Sequence, residues 1–442
     1  MDSLPLNIFA LISVVVLIIV YFFLISEKIN KVIAAILGAV VLILLQVFGG
    51  EGHTSQEEAF GFISRNLDIL GFVLGMMILV GIARESGLFE AIAIWLVKKV
   101  KGNPFKLLIV IGYLTLFMTM FLSNIPTVLI LTPVVIVLIR ELKLPHFPFI
   151  FILIAMANVG GAATPISDPT TYYQAKAVGL GFLEVVTNSG PIVLVTSVIT
   201  VLFTLLVFRK QLQAVTINPE DVNSFDPKSA LQNKKVLVIG TPILIISIIL
   251  MISKEFIAQK TGIHLDNATI ALGGAFLSML LFHKEPHKIF TEIIDWDILF
   301  FFMGLFVVVG ALEYTQVIDT IAQQILIITK GNLPILTFII TVGSSILSVF
   351  IDNVPYNITM VGAIQAMQAA GTYVYPLWWG LNLGTSIGGA GSPIGAACNV
   401  ITLGQVEREK IHITFGKYLL FALPLIILNS FAAFVIIYFR YL

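Results

Sequence analysis

Two strongly apolar stretches of this chain are interrupted by proline and amide side chains. Residues 121–133 read FLSNIPTVLILTP and residues 350–362 read FIDNVPYNITMVG. Hydrocarbon offers no water to backbone groups that a proline leaves unpaired, so such breaks occur in a membrane only where they are buried in protein or line a wet cavity. That the surroundings are a membrane follows from composition. Of 442 residues, 58% are hydrophobic and 11% charged, with a mean hydropathy of +1.02, whereas soluble domains carry about 25% charge. The net charge of zero excludes the basic face that nucleic acid requires. Cys398 is the only cysteine, which rules out an intrachain disulfide or a clustered-thiol metal site. The first residues, MDSLPLNIFA, lack a basic n-region and a cleavage signal, so the first apolar run is expected to be a retained span.

At about 17 to 25 apolar residues per crossing, spans are expected near 7–25, 32–48, 68–84, 191–208, 235–253, 267–282, 297–313 and 416–439. Two further regions, 105–180 and 333–405, are apolar but broken. The polar linker 209–235 separates a first half, 1–208, from a second, 236–442.

The halves repeat each other. DILGFVLGMMILVGIARESGLFEAIAIWLVKKVKGN from Asp68 aligns without a gap on DILFFFMGLFVVVGALEYTQVIDTIAQQILIITKGN from Asp297, a register of 297 − 68 = 229. The same register lays SNIPT (123–127) over DNVPY (352–356), and one residue less lays GGAATPISDP (160–169) over GGAGSPIGAA (388–397). Each half reads as five spans plus a hairpin whose arms, 105–122 and 127–141 in the first copy, are somewhat short for full crossings. An odd number of crossings per half inverts the second copy. Lysine and arginine, which favour cytoplasmic loops, agree. With the N-terminus outside, Lys28, Lys31, Lys98, Lys99, Lys101, Arg140, Lys143, Arg209, Lys210, Lys234, Lys235, Lys284, Lys288, Arg408 and Lys410 fall inside, and only Arg65, Lys176, Lys254, Lys260, Lys330 and Arg440 fall outside. The expected fold is an all-α polytopic membrane protein of two inverted repeats, with ten crossings, two re-entrant hairpins, broken helices and both termini external.

Inverted repeats with interrupted helices are the mark of secondary transporters, whose sites form where the breaks meet. Ser123, Asn124 and Thr127 at the first tip, Asp352, Asn353 and Asn357 at the second, Thr164, Ser167, Asp168 and Thr171 at one break, and Ser392, Cys398 and Asn399 at the other are the candidate ligands. A Ser-Asn pair before proline is by itself a helix cap, but its repetition favours a site. The pairs Gly160-Gly161 and Gly388-Gly389 suit either unwound backbone or close packing. A carboxylate within a span costs at least about 2.5 kcal/mol on insertion scales, so Asp168 and Asp352 are assigned to proton or cation coupling. Asp68 and Asp297, at span ends, read as structural caps, and Cys398 as a packing residue. The segments after Ala83 and Tyr314 have helical apolar spacing with a polar remainder and are expected as interfacial arms.

These motifs resemble the ion transporter superfamily, in particular the group of ArsB arsenite permeases, NhaD sodium–proton antiporters and the melanosomal P protein. NVGGAATPISDPTTY is similar to that group's Gly-Gly-Ala-Ala-Thr-x-Ile-x-Asp-Pro block, and DNVPYNITM with LWWGLNLGTSIGGAGSPIGAACNV carries the second copy. The resemblance implies an elevator mechanism, a scaffold that dimerises in many members, a cell-membrane location, and binding positions at Asn124, Thr164, Asp168, Asp352, Asn353, Ser392 and Asn399. For an arsenite pump it also implies a soluble ATPase partner. Two departures stand out. P-protein relatives carry Asp-Asn at both tips, where this chain has Ser123 at the first, and dicarboxylate carriers carry Ser-Asn-Thr, where this chain has Ile125 and Val354.

No arginine or lysine lies in either tip or either glycine block, which ranks anions last as cargo. The Ser, Thr and Asn groups suit neutral arsenous acid, so proton-coupled efflux of arsenite or antimonite is the leading expectation, and sodium–proton antiport of the NhaD kind the alternative. A carboxylate carrier or a channel ranks below both. There is no Walker loop, nucleophile–base pair or metal cluster, which disfavours an enzyme, and no cofactor is expected. The topology is testable: in a Ser224→Cys variant, the linker thiol is expected to be protected from an impermeant maleimide applied outside intact cells and to react once the membrane is opened.

Overall fold

The computed structural model describes residues 8–26, 28–49, 54–100, 103–215, 217, 226–282 and 286–442. Most of the linker centre, including position 224, together with Lys101, Lys284 and the first seven residues, lies outside these. All regular structure among the described residues is helical.

Among the described residues, seven helices are long and apolar enough to cross a membrane: Leu67–Arg84, Pro104–Leu122, Asn124–Glu141, Phe182–Val207, Val236–Thr261, Trp296–Tyr314 and Phe415–Tyr441. Shorter apolar helices accompany them, among them Lys31–Leu44, His146–Gly161, Asn267–Phe282 and Leu333–Ser348. The outward surface is studded with exposed apolar side chains such as Leu44, Leu206, Val238, Leu280 and Phe439, a surface that suits lipid and not water. The chain is therefore a multi-pass membrane protein.

Several element lengths differ from expectation, among them Phe182–Val207 and Val236–Thr261, each 26 residues and longer than the expected 191–208 and 235–253. The first hairpin arms are 19 and 18 residues, about 28 and 27 Å at 1.5 Å per residue, long enough to cross. They gain length because Pro104 starts the first arm under an Asn103 cap, and because Asn124, Ile125 and Pro126 belong to the second arm's first turn, where a proline costs no hydrogen bond. The second span is shorter than 32–48. It ends at Leu44, where the chain turns through Gln46 at φ 56°.

The helices pack in two groups, each drawing on both halves of the chain. In one, Leu67–Arg84 lies against Asn267–Phe282, and Trp296–Tyr314 against Lys31–Leu44. These approaches are close because of glycine. A Cβ on Gly75 would meet the Ala271 backbone at 2.6 Å, and one on Gly304, at the equivalent position, would meet the Ala35 backbone at 2.7 Å. In the other group, His146–Gly161 and Tyr375–Gly389 run through the centre. Neither has a polar face, and residues 147–161 and 376–389 are all buried. The hairpins and the resumed helices Pro169–Val178 and Ala397–Arg408 surround them, with Phe182–Val207 and Phe415–Tyr441 alongside.

The expected arms are the helices Leu88–Lys99 and Val317–Thr329, which pack on Asn124–Glu141 and Asn353–Ala369. Each begins at a left-handed residue, Gly87 (φ 70°) or Gln316 (φ 60°), at equivalent positions. Gly87 is obligatory because a Cβ there would collide with the Ala230 carbonyl, and the amide of Gln232 donates to the Ser86 carbonyl at 3.2 Å, so the end of the linker is pinned to the first arm.

Asp68 and Asp297 are not the caps. Asn66 and Asp295 hold the N-cap positions, Asp68 is ion-paired with Lys176, and Asp297 accepts from Asn30 Nδ2 at 3.3 Å. From the packing, Gly75→Val and Gly304→Val are each expected to destabilise by about 1–3 kcal/mol through overpacking. Gly273→Ala, with nothing within 4 Å of the added carbon, should be neutral. Thermal unfolding of the three variants in detergent checks this.

Candidate functional site

The breaks in the central helices are held by hydrogen bonds that occur twice. The amide of Asn124 donates to the Ser167 carbonyl at 3.2 Å, and the amide of Asn353 donates to the Gly395 carbonyl at 3.3 Å. Thr164 Oγ1 donates to the Met120 carbonyl at 2.6 Å, and Ser392 Oγ donates to the Val349 carbonyl. Thr171 Oγ1 donates to the Gly161 carbonyl at 2.8 Å, and Asn399 Nδ2 to the Gly389 carbonyl at 2.7 Å. In each pair the members sit 228 or 229 residues apart in the sequence repeat. Each hairpin tip is thereby fastened to the broken helix of its own half.

The two halves are fastened to one another by side chains of which sequence reasoning overlooked Asn158, Asn382 and Gln174. Asn158 Nδ2 donates to Asn399 Oδ1 at 2.8 Å and lies 3.5 Å from Cys398 Sγ. Asn382 Nδ2 donates to the Ala162 carbonyl and to Ser189 Oγ, both at 3.0 Å, and its Oδ1 lies 2.8 Å from Thr171 Oγ1, sharing that hydroxyl's proton with the Gly161 carbonyl. Gln174 Nε2 donates to the Trp378 carbonyl at 2.6 Å, and Asn357 Nδ2 lies 3.3 Å from both Gln174 Oε1 and Thr385 Oγ1. The signal for Asn158 and Asn382 was present in the sequence as amides inside otherwise apolar helices, groups that must find partners when buried.

Between tips and breaks lies a cavity of about 30 Å³, room for a water molecule or a bare monovalent ion. Asn124, Asp168, Asp352 and Asn353 line it with Lys31, Ile298 and Phe301. Asp168 caps Pro169–Val178, accepting from the Thr170 amide at 2.8 Å and its hydroxyl at 2.6 Å, and it accepts from Asn124 Nδ2. Asp352 caps Asn353–Ala369 through the Val354 amide at 3.1 Å. Both carboxylates line the same cavity, and beside them Asn353 Nδ2 has no hydrogen-bond partner among the described residues although the residue is only 3% exposed. Of the sequence candidates, Asn124, Asn353, Asp168 and Asp352 meet at this cavity. Thr164, Ser392 and Asn399 donate to backbone carbonyls, as does Thr127 to Ser123 at 2.7 Å, and Asn357 belongs to the Gln174 and Thr385 cluster. Ser123 faces a separate opening of about 180 Å³ beside Arg84.

Lys31 corrects one inference. The absence of basic residues from the tips does not leave the cavity without a cation, because packing of Lys31–Leu44 against Trp296–Tyr314 brings a distant lysine to it. The two tips also differ. Ser123 has φ 76° and ψ 159°, a region reserved for glycine, whereas Asp352 has φ −48°. Such strain costs about 1–3 kcal/mol. Ser123→Gly is therefore expected to raise the unfolding temperature, by a net of about 1 kcal/mol after the entropy cost of glycine, measured as thermal stability in detergent.

Comparison with known proteins agrees with this architecture. The profile of the CitMHS family, described as citrate transporter, matches residues 21–384. A 46 kDa membrane protein of Mycobacterium leprae is 28% identical over 440 residues, 98% of this chain and 99% of its own. The transporter Rv2685 of Mycobacterium tuberculosis is 31% identical over 416 residues, 92% of this chain and 94% of its own. The P protein of Mus musculus is 24% identical over 486 residues, 93% of this chain and 58% of its own. Among solved structures, the YdaH transporter of Alcanivorax borkumensis shares the fold, with a TM-score of 0.58, 14% identity, and coverage of 96% of this chain and 97% of that one. With its spanning helices and a profile match over most of its length, the chain belongs to the CitMHS citrate transporter family and is a secondary membrane transporter.

Proposed function

We propose that Asp168 and Asp352 form the coupling-ion site of this transporter and bind a proton or sodium. The observation that carries the reading is that two buried carboxylates, one from each half, line a single ion-sized cavity with Asn124 and Asn353. Hard cations are held by oxygen ligands and net negative charge, and two carboxylates against one lysine leave the cavity with a net charge of −1 when all three groups are ionised.

The halves are inverted copies, and the hairpins with their broken helices move as one body, elevator fashion, against the helix group that contains Lys31–Leu44 and Trp296–Tyr314. Support comes from the equivalent bonds that tie each tip to its own break, since a body braced internally can shift without exposing unpaired backbone. In this reading that helix group is the scaffold that dimerises, the linker is cytoplasmic and both termini are external.

For the cargo, sodium–proton antiport fits the cavity best. Efflux of arsenite or antimonite needs free donors around a neutral solute, and the hydroxyls that favoured it in the sequence are engaged with backbone carbonyls. A carboxylate such as citrate is the second reading, favoured by Lys31 and by the family description.

Purified protein in liposomes under an imposed pH gradient, challenged with sodium, lithium, arsenite, antimonite or citrate, ranks the three. Asp168→Asn and Asp352→Asn are each expected to lower gradient-driven flux by at least about 100-fold, the loss of roughly 2.7 kcal/mol, with the protein still folded. Normal rates and normal pH dependence in both variants would falsify the coupling assignment.

A further inference from the structure

The lysine at the cavity is not explained by coupling chemistry alone. Lys31 is the first residue of its helix, after the Asn30 cap, and is half-buried. Among the described residues it makes no ion pair within 4.0 Å, although Asp352 and Asp168 line the same cavity. Its ammonium rests instead 5.4 Å from the ring centroid of Phe301, a cation–π contact. A second opening of about 300 Å³, which Lys31 and Asp352 also line, presents Asp295 and Asp297. The charged groups facing Lys31 are thus Asp352 and Asp168 from the hairpin body, and Asp295 and Asp297 from the end of the helix that carries Phe301. The lysine shares its two openings with four carboxylates and pairs with none of them within 4.0 Å. Asn353 Nδ2, buried and without a hydrogen-bond partner among the described residues, lines the cavity that holds Asp168 and Asp352 and offers a donor to a ligand there.

We propose that Lys31 is a tethered competitor of the coupling ion. The ammonium and the ion contend for Asp352, so the lysine lowers the affinity of the site, and the face of Phe301, where the ammonium rests in this structure, is its position away from the carboxylate. This rests on the reading of Asp168 and Asp352 as the coupling site, and goes beyond it in assigning a residue that lowers ion affinity. Charge counting supplies the reason. Two ionised carboxylates without a lysine carry −2 and hold a first cation too firmly for release, whereas with the lysine one monovalent ion completes neutrality. A lysine stem of four flexible carbons allows both positions, and its compact ammonium resembles a monovalent ion more closely than a guanidinium does. Lys31 belongs to the helix pair Lys31–Leu44 and Trp296–Tyr314, whereas both carboxylates belong to the hairpin body. If that body moves, the competitor is therefore present at only one end of its travel, which favours ion release there.

The experiment compares wild type, Lys31→Gln, Lys31→Arg and Phe301→Leu in detergent and in liposomes, by sodium-22 binding and by the pH at which flux is half-maximal. Lys31→Gln is expected to bind sodium at least about 10-fold more tightly, or to shift the half-maximal pH upward by at least about one unit if the ion is a proton. Turnover should fall as release slows. Lys31→Arg keeps the charge and should stay within about 3-fold of wild type. Phe301→Leu removes the resting face of the ammonium and should weaken ion affinity several-fold, which gives an independent reading should Lys31→Gln misfold. Unchanged ion affinity and pH profile in both Lys31→Gln and Phe301→Leu would overturn the proposal while leaving the coupling site intact. So would weakened citrate uptake by Lys31→Gln at unchanged ion affinity, which would assign the lysine to an anionic cargo. A wild-type protein that neither binds sodium-22 nor moves protons would remove the coupling site and this proposal together.

Discussion

An unpaired backbone group in hydrocarbon costs several kcal/mol, and most of this structure answers that cost at four places where its apolar helices are interrupted. At the tips, 123–124 and 352–353, and the breaks, 162–168 and 390–396, each tip amide is given to a carbonyl of the neighbouring break. Thr164 and Ser392 reach back from the breaks to the last turns of the hairpin arms. Tip and break stand or fall together. The glycines make the approach feasible: a Cβ on Gly388 would meet the Ser345 carbonyl, and one on Gly160 would lie 3.1 Å from the Leu116 carbonyl. Side chains of ordinary size would hold the central helices too far from the hairpins for those bonds to close.

Once the backbone is satisfied within each half, the remaining polar groups are free for other tasks, and they divide into two sets. One set, Asn158, Asn382, Gln174 and Asn357, bonds the halves across the centre. The other, Asn124, Asp168, Asp352 and Asn353, is left around a cavity. A cluster of buried carboxylates is costly unless something compensates its charge. The compensating group comes from elsewhere in the fold, through the helix pair in which Gly304 lets Lys31–Leu44 approach Trp296–Tyr314. The close packing of one helix group thus sets the charge balance in the cavity of the other.

Much of this was legible in one dimension. Apolar run lengths gave the membrane setting, because crossing hydrocarbon needs a minimum length of helix whatever its neighbours. The 229-residue register located equivalent elements, and the structure starts helices at Leu67 and Trp296, at Leu88 and Val317, and at Asn124 and Asn353 in that register. Asp168 and Asp352 stood out because ionised groups are rare at such depth. Less legible was the use of the hydroxyls. Thr127, Thr164 and Ser392 look like ligands in a motif, yet a hydroxyl close to a helix end has a local carbonyl within reach, and in this fold each of them is given to one.

The sequence by itself determined that the chain is a helical membrane protein, that it is built twice over, and that its breaks and acidic residues fall at matching places, because hydropathy, periodicity and repetition are properties of local order along a chain. Only the tertiary structure decided which polar groups remain unspent and which distant residue joins them. Lys31 lies 93 residues before Asn124 and 321 before Asp352, and no local rule connects them. Their meeting depends on how closely glycine lets helices approach and on which face each helix buries, and those are settled by packing across the whole molecule.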